Sequence, residues 1–585
     1  MNPRLKSRAP LSRGNVLLVV MIMIAVSLTM VTAIFNYSAN NAKLNQRTSD
    51  YYLTTGAAEA ATEKVVSQLT SDYRNYGDGY CVQHLSQYRT LIPSSAESGT
   101  WTNFDFMNLN GDKDCLEVQY YSVPGFANLG GQYGPLKAWK DRFRILSNAR
   151  MKNSTEKVVG SVYQDIELSR IPIFQYAIFY NTVLEFTAQP DMNIYGPVHC
   201  NTNIYVYPII GKTTFWSDLT ASGTIYETMN PVSPLPNAPG TIVYKAAHDS
   251  GVSTLNLPIG TNNSPAAVRQ VLELPPAGED AGSSLGQQRY FNKADLIVLV
   301  SNSTVVVKTG LNNNFTNTLT TNDYTVFLST NGSFFNKREN KTVLPIQLDI
   351  GQLVQWNLTN SYRSYFFAQD VRTIYVSDQR TFSASQESGV RLVNGATLPP
   401  KGLTVATSSP LYILGHYNCP VSARGTTNTL GTMPASIAAD AITVLSPSWV
   451  DTNSSKTMSI PSNIRVASDC TVNAAFLMGI VATTSSSDSG GVENFPRFLE
   501  EWTGKTLTYN GSMVCMFYSQ VATGQWKGTV ALGYDIYNPP NRNWGLDANF
   551  QYQDKLPPAT PTLTVLVRSS WRTPAAFSTN VVAGF

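Results

Sequence analysis

The sequence predicts a mainly β protein with one long N-terminal α-helix, a small α+β head and, behind them, a parallel β-helix or solenoid-like domain. Three observations carry this. Residues 16–35, VLLVVMIMIAVSLTMVTAIF, hold no charge. Apolar residues at helical spacing continue beyond them. From Ile171 onward the chain breaks into short strand-like runs separated by Asn and Gly.

The N-terminal element sets the compartment. Arg4, Lys6, Arg8 and Arg13 precede the apolar run with no acidic residue among them, so residues 1–14 form a basic leader. Positive-inside bias keeps that leader cytoplasmic and exports the chain beyond Phe35, giving a single-pass inner-membrane protein whose C-terminal part is extracytoplasmic. At 1.5 Å per residue, Val16 to Phe35 crosses ~30 Å of hydrocarbon, one full span. A cleavable secretory signal is the alternative, because Val31-Thr32-Ala33 offers a small-residue cleavage motif. Against it, no Pro or Gly interrupts the run, and Leu44, Tyr51, Tyr52, Ala58, Ala61, Val65 and Leu69 come after it at helical spacings. One helix over 15–72, transmembrane and then amphipathic, is the simpler reading.

Composition agrees with export. Charged residues make up only 14% of the 585, whereas Tyr, Asn, Thr, Ser and Gly abound. The net charge is +3 and no Lys/Arg block stands beyond residue 13, so nucleic acid is excluded as the default partner.

The head is expected over 73–170. Residues 73–130 show little periodicity and read as a loop-rich region around Cys81 and Cys115. Alternation in Phe143, Ile145 and in Val159, Val162, Ile166, Leu168 brackets the turn-like Lys152-Asn153-Ser154-Thr155, predicting an antiparallel hairpin. Beyond it, FQYAIFYNTVLEF, MNIYGPVHC, NIYVYP, TTFWS and LTASGTIY read as the first part of a solenoid, 171–231. The texture returns in LTVATSSPLYILGHYN and SIAADAITVLSPSW. Residues 232–398, entered by MNPVSPLPNAPG, are therefore expected as an insertion, and 399–585 as the solenoid's continuation and C-terminal cap, with an Arg542–Asp547 ion pair in the cap.

Chemistry-bearing residues are few. Cys81 and Cys115 bracket one loop-rich region, and a disulfide between them would contribute about 3 to 4 kcal/mol by loop closure. Asn108, Asn110, Asp112, Asp114 and Glu117 partly follow a calcium-loop spacing, with Gly111 at the turn, but Phe106 stands where the first carboxylate belongs. Calcium is the only cofactor this suggests. His199 beside Cys200, and His416 near Cys419, are the metal-like neighbours, and neither has a second ligand pair. Tyr205, Tyr207, Trp216 and Tyr226 would form a sugar-binding strip, making surface glycan a candidate partner, although β-structure enriches aromatics anyway. No nucleophile elbow, phosphate loop or zinc-protease helix is found, and no catalytic residue is assigned. The enzyme alternative, a membrane-anchored β-helical polysaccharide lyase or hydrolase, would need clustered carboxylates, whereas Asp440, Asp451 and Asp469 are scattered.

The leader, Arg13-Gly14, the immediate apolar helix and the segment Gly56-Ala57-Ala58-Glu59-Ala60-Ala61 together resemble the N-terminal family of PilX-like minor pilins, over about residues 11–70. The runs IPIFQYAIFY, DMNIYGPVH, ENFPRFLEEW and PPNRNW also resemble the large surface region of bacterial proteins with such N-termini. The resemblance implies a pilin-like helix and head, and prepilin-type cleavage after Gly14 that leaves Asn15 as the new N-terminus. It implies a minor, non-enzymatic structural or adhesion component of a type IV pilus or secretion pseudopilus. Its partners would be other pilin-like subunits, the assembly machinery and the membrane, with display at the cell surface after assembly. One departure stands out. The fifth mature position, Glu in most pilins, is Val19, which suits an initiating or distal subunit better than a repeating one.

Overall fold

The computed structural model describes residues 15–130, 133, 135–187, 191–235, 240–311, 314–359, 370–458, 464–526 and 535–577. Among them a single helix, α1 (Asn15–Tyr76), leads the chain without a break. Its two halves behave differently. From Asn15 to Ser49 every residue is exposed except the half-buried Asn41. From Asp50 onward Thr54, Ala57, Ala58, Ala61, Val65, Leu69 and Tyr73 are buried at three- and four-residue steps, the stripe of a helix packed on one side.

That stripe lies on an antiparallel sheet formed by β1 (Phe104–Met107), β2 (Glu117–Asn128), β3 (Lys137–Met151) and β4 (Val159–Pro172). β3 is central, pairing β1 and β2 along one edge and β4 along the other. The expected hairpin is present, with Phe143 opposite Ile166 and Ile145 opposite Gln164. Ala, Thr and Gly set how closely helix and sheet approach. A Cβ on Gly160 of β4 would sit 2.3 Å from the Thr55 backbone nitrogen, so only glycine fits there. Two short helices, α2 (Asp78–Gln83) and α3 (Leu85–Arg89), come directly after α1.

Two features of the head depart from expectation. The supposedly loop-rich 73–130 contains β2, a long strand with a bulge between Val123 and Phe126. The last strand, Thr562–Arg572, assigned from sequence to the solenoid's cap, instead pairs antiparallel with β4 and completes the head. Its partner lies hundreds of residues upstream, beyond the reach of any local pattern.

After the head the chain makes a first coil of three short strands, β5 (Ile178–Tyr180), β6 (Leu184–Phe186) and β7 (Met192–Ile194). Parallel strands stack on each. Ile178 pairs Val198, which pairs Leu219, which pairs His248; Leu184 pairs Ile204 and then Ile225; Met192 pairs Thr213 and then Ile242. This is solenoid stacking on three faces.

The coil order is not the chain order. On its other edge β5 pairs Met513–Tyr518, and the same sheet continues through Ala475–Ile480, Ala435–Ala439, Leu403–Thr407 and Thr373–Asp378 to Leu296–Val300. The chain thus enters in mid-solenoid and winds out to His248–Ser250. It then returns to the far end and winds back until its last coil meets its first. The return segment, with Leu255, Leu257, Val268, Val271 and Leu272 buried, packs on the outward face of the long sheet against Phe179, Tyr375, Leu477 and Val514. Both sheet faces are therefore apolar, as a parallel sheet requires. The expected insertion 232–398 supplies Leu296–Val300, Lys341–Asp349, Thr373–Asp378 and Gln386–Val393 to these sheets, so much of it is solenoid.

Candidate functional site

The candidate site is the projecting half of α1 and its junction with the head. Its 35 residues, Asn15 to Ser49, at 1.5 Å each reach ~50 Å. Most of those from Val16 to Phe35 are large and apolar: Val16 is 69% exposed, Leu17 71% and Phe35 70%. Among the described residues, α1 is the one helix long and apolar enough to cross a membrane. Thr29 and Thr32 turn their hydroxyls back onto the carbonyls of Val26 and Leu28 at 2.8 and 2.7 Å, so those two polar groups are satisfied within the helix. Val19 is itself exposed, presenting an aliphatic side chain at the position where the pilin resemblance leads one to expect an acid. Asn15 is the first residue of the helix; Gly14, with the leader 1–14, lies outside the described residues.

Polar contacts fix where the projecting part ends. Asp50 is buried and accepts hydrogen bonds from Gln46 Nε2 at 2.7 Å and from Ser154 Oγ on the β3–β4 turn. Gln164 on β4 donates to Thr62 Oγ1 and Glu63 Oε1, each at 2.9 Å. Arg568 on the last strand donates to both Glu63 oxygens at 2.7 Å. Lys64 pairs Glu97 at 2.8 Å and donates to the Ile92 carbonyl at 2.7 Å. Helix, hairpin and C-terminal strand are thereby locked into one base from which the apolar half extends. The sequence carries no signal for Asp50, Glu63 or Arg568, because each matters only through a distant partner.

The other predicted residues fall elsewhere. Cys81, buried on α2, sits 3.9 Å from the Leu69 carbonyl, and Cys115 donates to the Asp112 carbonyl at 3.2 Å; both are free thiols, as are the other four. Burial pushes the Cys81 thiol up to about 12. In the calcium-like loop, Asn108 Oδ1 accepts the backbone N–H groups of Asn110 and Asp112 at 2.9 and 3.0 Å, and Asn108 Nδ2 donates to Asp112 Oδ2 at 2.9 Å. Asp114 has a left-handed backbone, φ 57°, and Glu117 accepts from Gln119. The loop is thus a turn closed on itself, and no group of three or more His, Cys, Asp or Glu suited to a metal occurs among the described residues.

The aromatic strip is split between two faces. Tyr205 stacks on Tyr226 at 5.0 Å, and Trp216 on Tyr195 at 5.7 Å, while Tyr207 is buried. His199 bonds Thr220 Oγ1 at 2.9 Å and Asn201 Oδ1 at 3.0 Å, and burial pulls it down to about 4, the signature of a core histidine. The Arg542–Asp547 pair does not form. Arg542 lies over Trp544 and donates to the Glu493 carbonyl, whereas Asp547 accepts from Thr429 at 2.7 Å.

No protein-family model and no curated protein matches the chain. A comparison with solved structures finds the crystal structure of the competence-associated pilin ComZ from Thermus thermophilus, at 11% identity and a TM-score of 0.28, covering 90% of this chain and 98% of that one.

Proposed function

We propose that the protein is a minor pilin-like component of a type IV pilus or related secretion pseudopilus, held in the inner membrane by α1 before assembly. In the filament, α1 packs among the helices of other subunits. The head and solenoid are displayed at the surface for adhesion or structural contact, without turnover. One observation carries the reading: a single helix whose first half is exposed and largely apolar, while its second half is embedded in a compact head. Such a surface in water is an aggregation liability, and lipid or neighbouring apolar helices remove it. The leader 1–14 is proposed to be cut after Gly14, and Val19 to suit an initiating or distal position.

The test is deletion of residues 16–35 in the native host, with membrane fractionation and mechanical shearing of surface filaments as readouts. The reading expects the shortened protein to leave the membrane fraction and to be missing from sheared filaments. A deletion variant still recovered in both would sink it. Specific, metal-dependent cleavage of surface polysaccharide by the purified full chain would instead favour the membrane-anchored enzyme.

A further inference from the structure

On the third face of the solenoid, a cavity of about 420 Å³ opens between two adjacent coils and a long surface loop. It is lined by His416, Arg424, Asp469, Thr471, Thr506 and Thr508. The floor is the parallel pair Cys470–Asn473 and Thr506–Asn510. The wall is the loop over residues 418–433, and it is firmly held. Asn418 cinches its two ends through Met433 and the Asn473 carbonyl, at 2.7 to 2.9 Å. Gly425 donates to Thr471 Oγ1 at 2.9 Å, and Thr429 bonds Asp547. The cavity therefore exists before any ligand arrives, which lowers the ordering cost of binding.

Its lining carries two kinds of chemistry. Arg424 is exposed and has no ion-pair or side-chain hydrogen-bond partner among the described residues. Beside it, His416 Nδ1 accepts the Thr471 backbone N–H at 3.1 Å, so a neutral imidazole carries its proton on Nε2 and offers a donor. Burial, and then the Arg424 charge, hold that imidazole below its ordinary value and so neutral. The same lining also holds acceptors. Asp469 accepts the Thr506 N–H through Oδ1 at 2.8 Å, which leaves its second oxygen available, and the Thr506 hydroxyl stands alongside, whereas Thr508 is buried beneath them.

We propose that this cavity binds a sugar acid, with the carboxylate on Arg424 and the His416 Nε2–H and the ring hydroxyls on Asp469 and Thr506. A guanidinium matches a carboxylate in geometry and charge. A carboxylate facing hydroxyl donors suits a polyol and repels a bare anion. An acidic peptide would satisfy Arg424 but bring no ring hydroxyls to Asp469 and Thr506. The volume is ordinary for a small-ligand site. This assigns a ligand class to the displayed domain and rests on the display reading for its setting, but binding is measured apart from assembly, so either can fail alone.

The experiment is calorimetric titration of the full chain in detergent micelles with tetragalacturonate, maltotetraose, inorganic phosphate and tetraglutamate. Saturable binding of tetragalacturonate is expected, with maltotetraose and phosphate each weaker by roughly tenfold or more, the value of one charge-assisted contact. Arg424→Gln should weaken tetragalacturonate by a similar factor yet barely change maltotetraose, and Asp469→Asn should weaken both sugars. Arg424 has no tertiary partner to lose, so near-ultraviolet circular dichroism of that variant should match the parent. Absence of saturation with tetragalacturonate, equal binding of phosphate or tetraglutamate, or indifference to both substitutions would overturn the assignment.

Discussion

Arg568, on the last strand of the chain, grips both carboxylate oxygens of Glu63 at 2.7 Å, near the middle of the embedded half of α1. The chain's end thus fastens the helix that its beginning supplies. Because both side chains are partly exposed, at 52% and 36%, the pair is worth no more than about 1 kcal/mol. Burial alone would raise the Glu63 carboxyl, but the hydrogen bonds from Arg568 and Gln164 outweigh it and hold the group below its ordinary range. The stabilisation is present above the unfolded carboxylate value and lost as pH falls through the lowered folded value. In urea titrations, Arg568→Ala should therefore cost a fraction of a kcal/mol at neutral pH and nothing at about pH 2. A double-mutant cycle with Glu63→Gln isolates the pair.

Gly160 makes a sharper prediction. With the Thr55 nitrogen 2.3 Å from where a Cβ would stand, and Thr54 Oγ1 at 2.8 Å, neither backbone nor helix has room to yield locally. Gly160→Val should push α1 off β4 and lower stability by about 2 to 3 kcal/mol, in the range of overpacked cores. Thermal unfolding reads the shift. An unchanged melting temperature would mean that the helix does not seat on the sheet as described.

Glu500 reports on the solenoid interior. It is fully buried and accepts the Ser446 N–H at 2.6 Å and the Ser446 hydroxyl at 2.7 Å, yet burial still pushes it up to about 7. Between an unfolded value near 4.5 and this folded one, the native state holds a proton that the unfolded chain has lost, so this group's contribution falls as pH rises across the window. Glu500→Gln keeps the shape, accepts the Ser446 N–H through its oxygen and donates to the Ser446 hydroxyl, while removing the titration. The variant should be more stable than the parent at pH 8, by about 2 to 4 kcal/mol, and close to it at pH 4. Denaturant midpoints at the two pH values check this.

The winding order has a mechanical consequence. β5, the first strand of the first coil, sits in mid-sheet between Val198–Cys200 and Met513–Tyr518, so early and late parts of the chain share one cooperative unit. Phe179 of β5 is fully buried and stacks on His199 at 5.4 Å. Phe179→Ala should cost about 3 to 5 kcal/mol. Hydrogen exchange should quicken in β5 and in Met513–Tyr518 together; loosening of β5 alone would argue against the shared sheet.

Much of this fold was legible in the sequence because its signals are local. The uncharged run to Phe35 and the stripe from Ala57 to Leu69 announce one helix, and alternation in Phe143–Ile145 and Val159–Leu168 announces the hairpin. The short apolar runs between Ile178 and Val206 are ambiguous one at a time, but their close, regular succession with Asn and Gly between them is what a solenoid shows. What escaped depends on distant partners. Nothing within Thr562–Arg572 says that it joins the head, and nothing in Leu296–Val300 says that it belongs to the long sheet rather than to an insertion. The candidate site divides the same way. The apolar half of α1 is visible as composition, whereas the cavity joins His416 and Arg424, from one connection, with Asp469 and Thr506 from the two coils beside it, and each of these reads alone as a turn or strand residue.

The most direct measurement is the intact mass of the mature protein purified from its native membrane. Cleavage between Gly14 and Asn15, with the whole apolar half of α1 retained, is what pilin-like anchoring and assembly predict. A chain trimmed through Ala33 and recovered free of the membrane would contradict the account at its root.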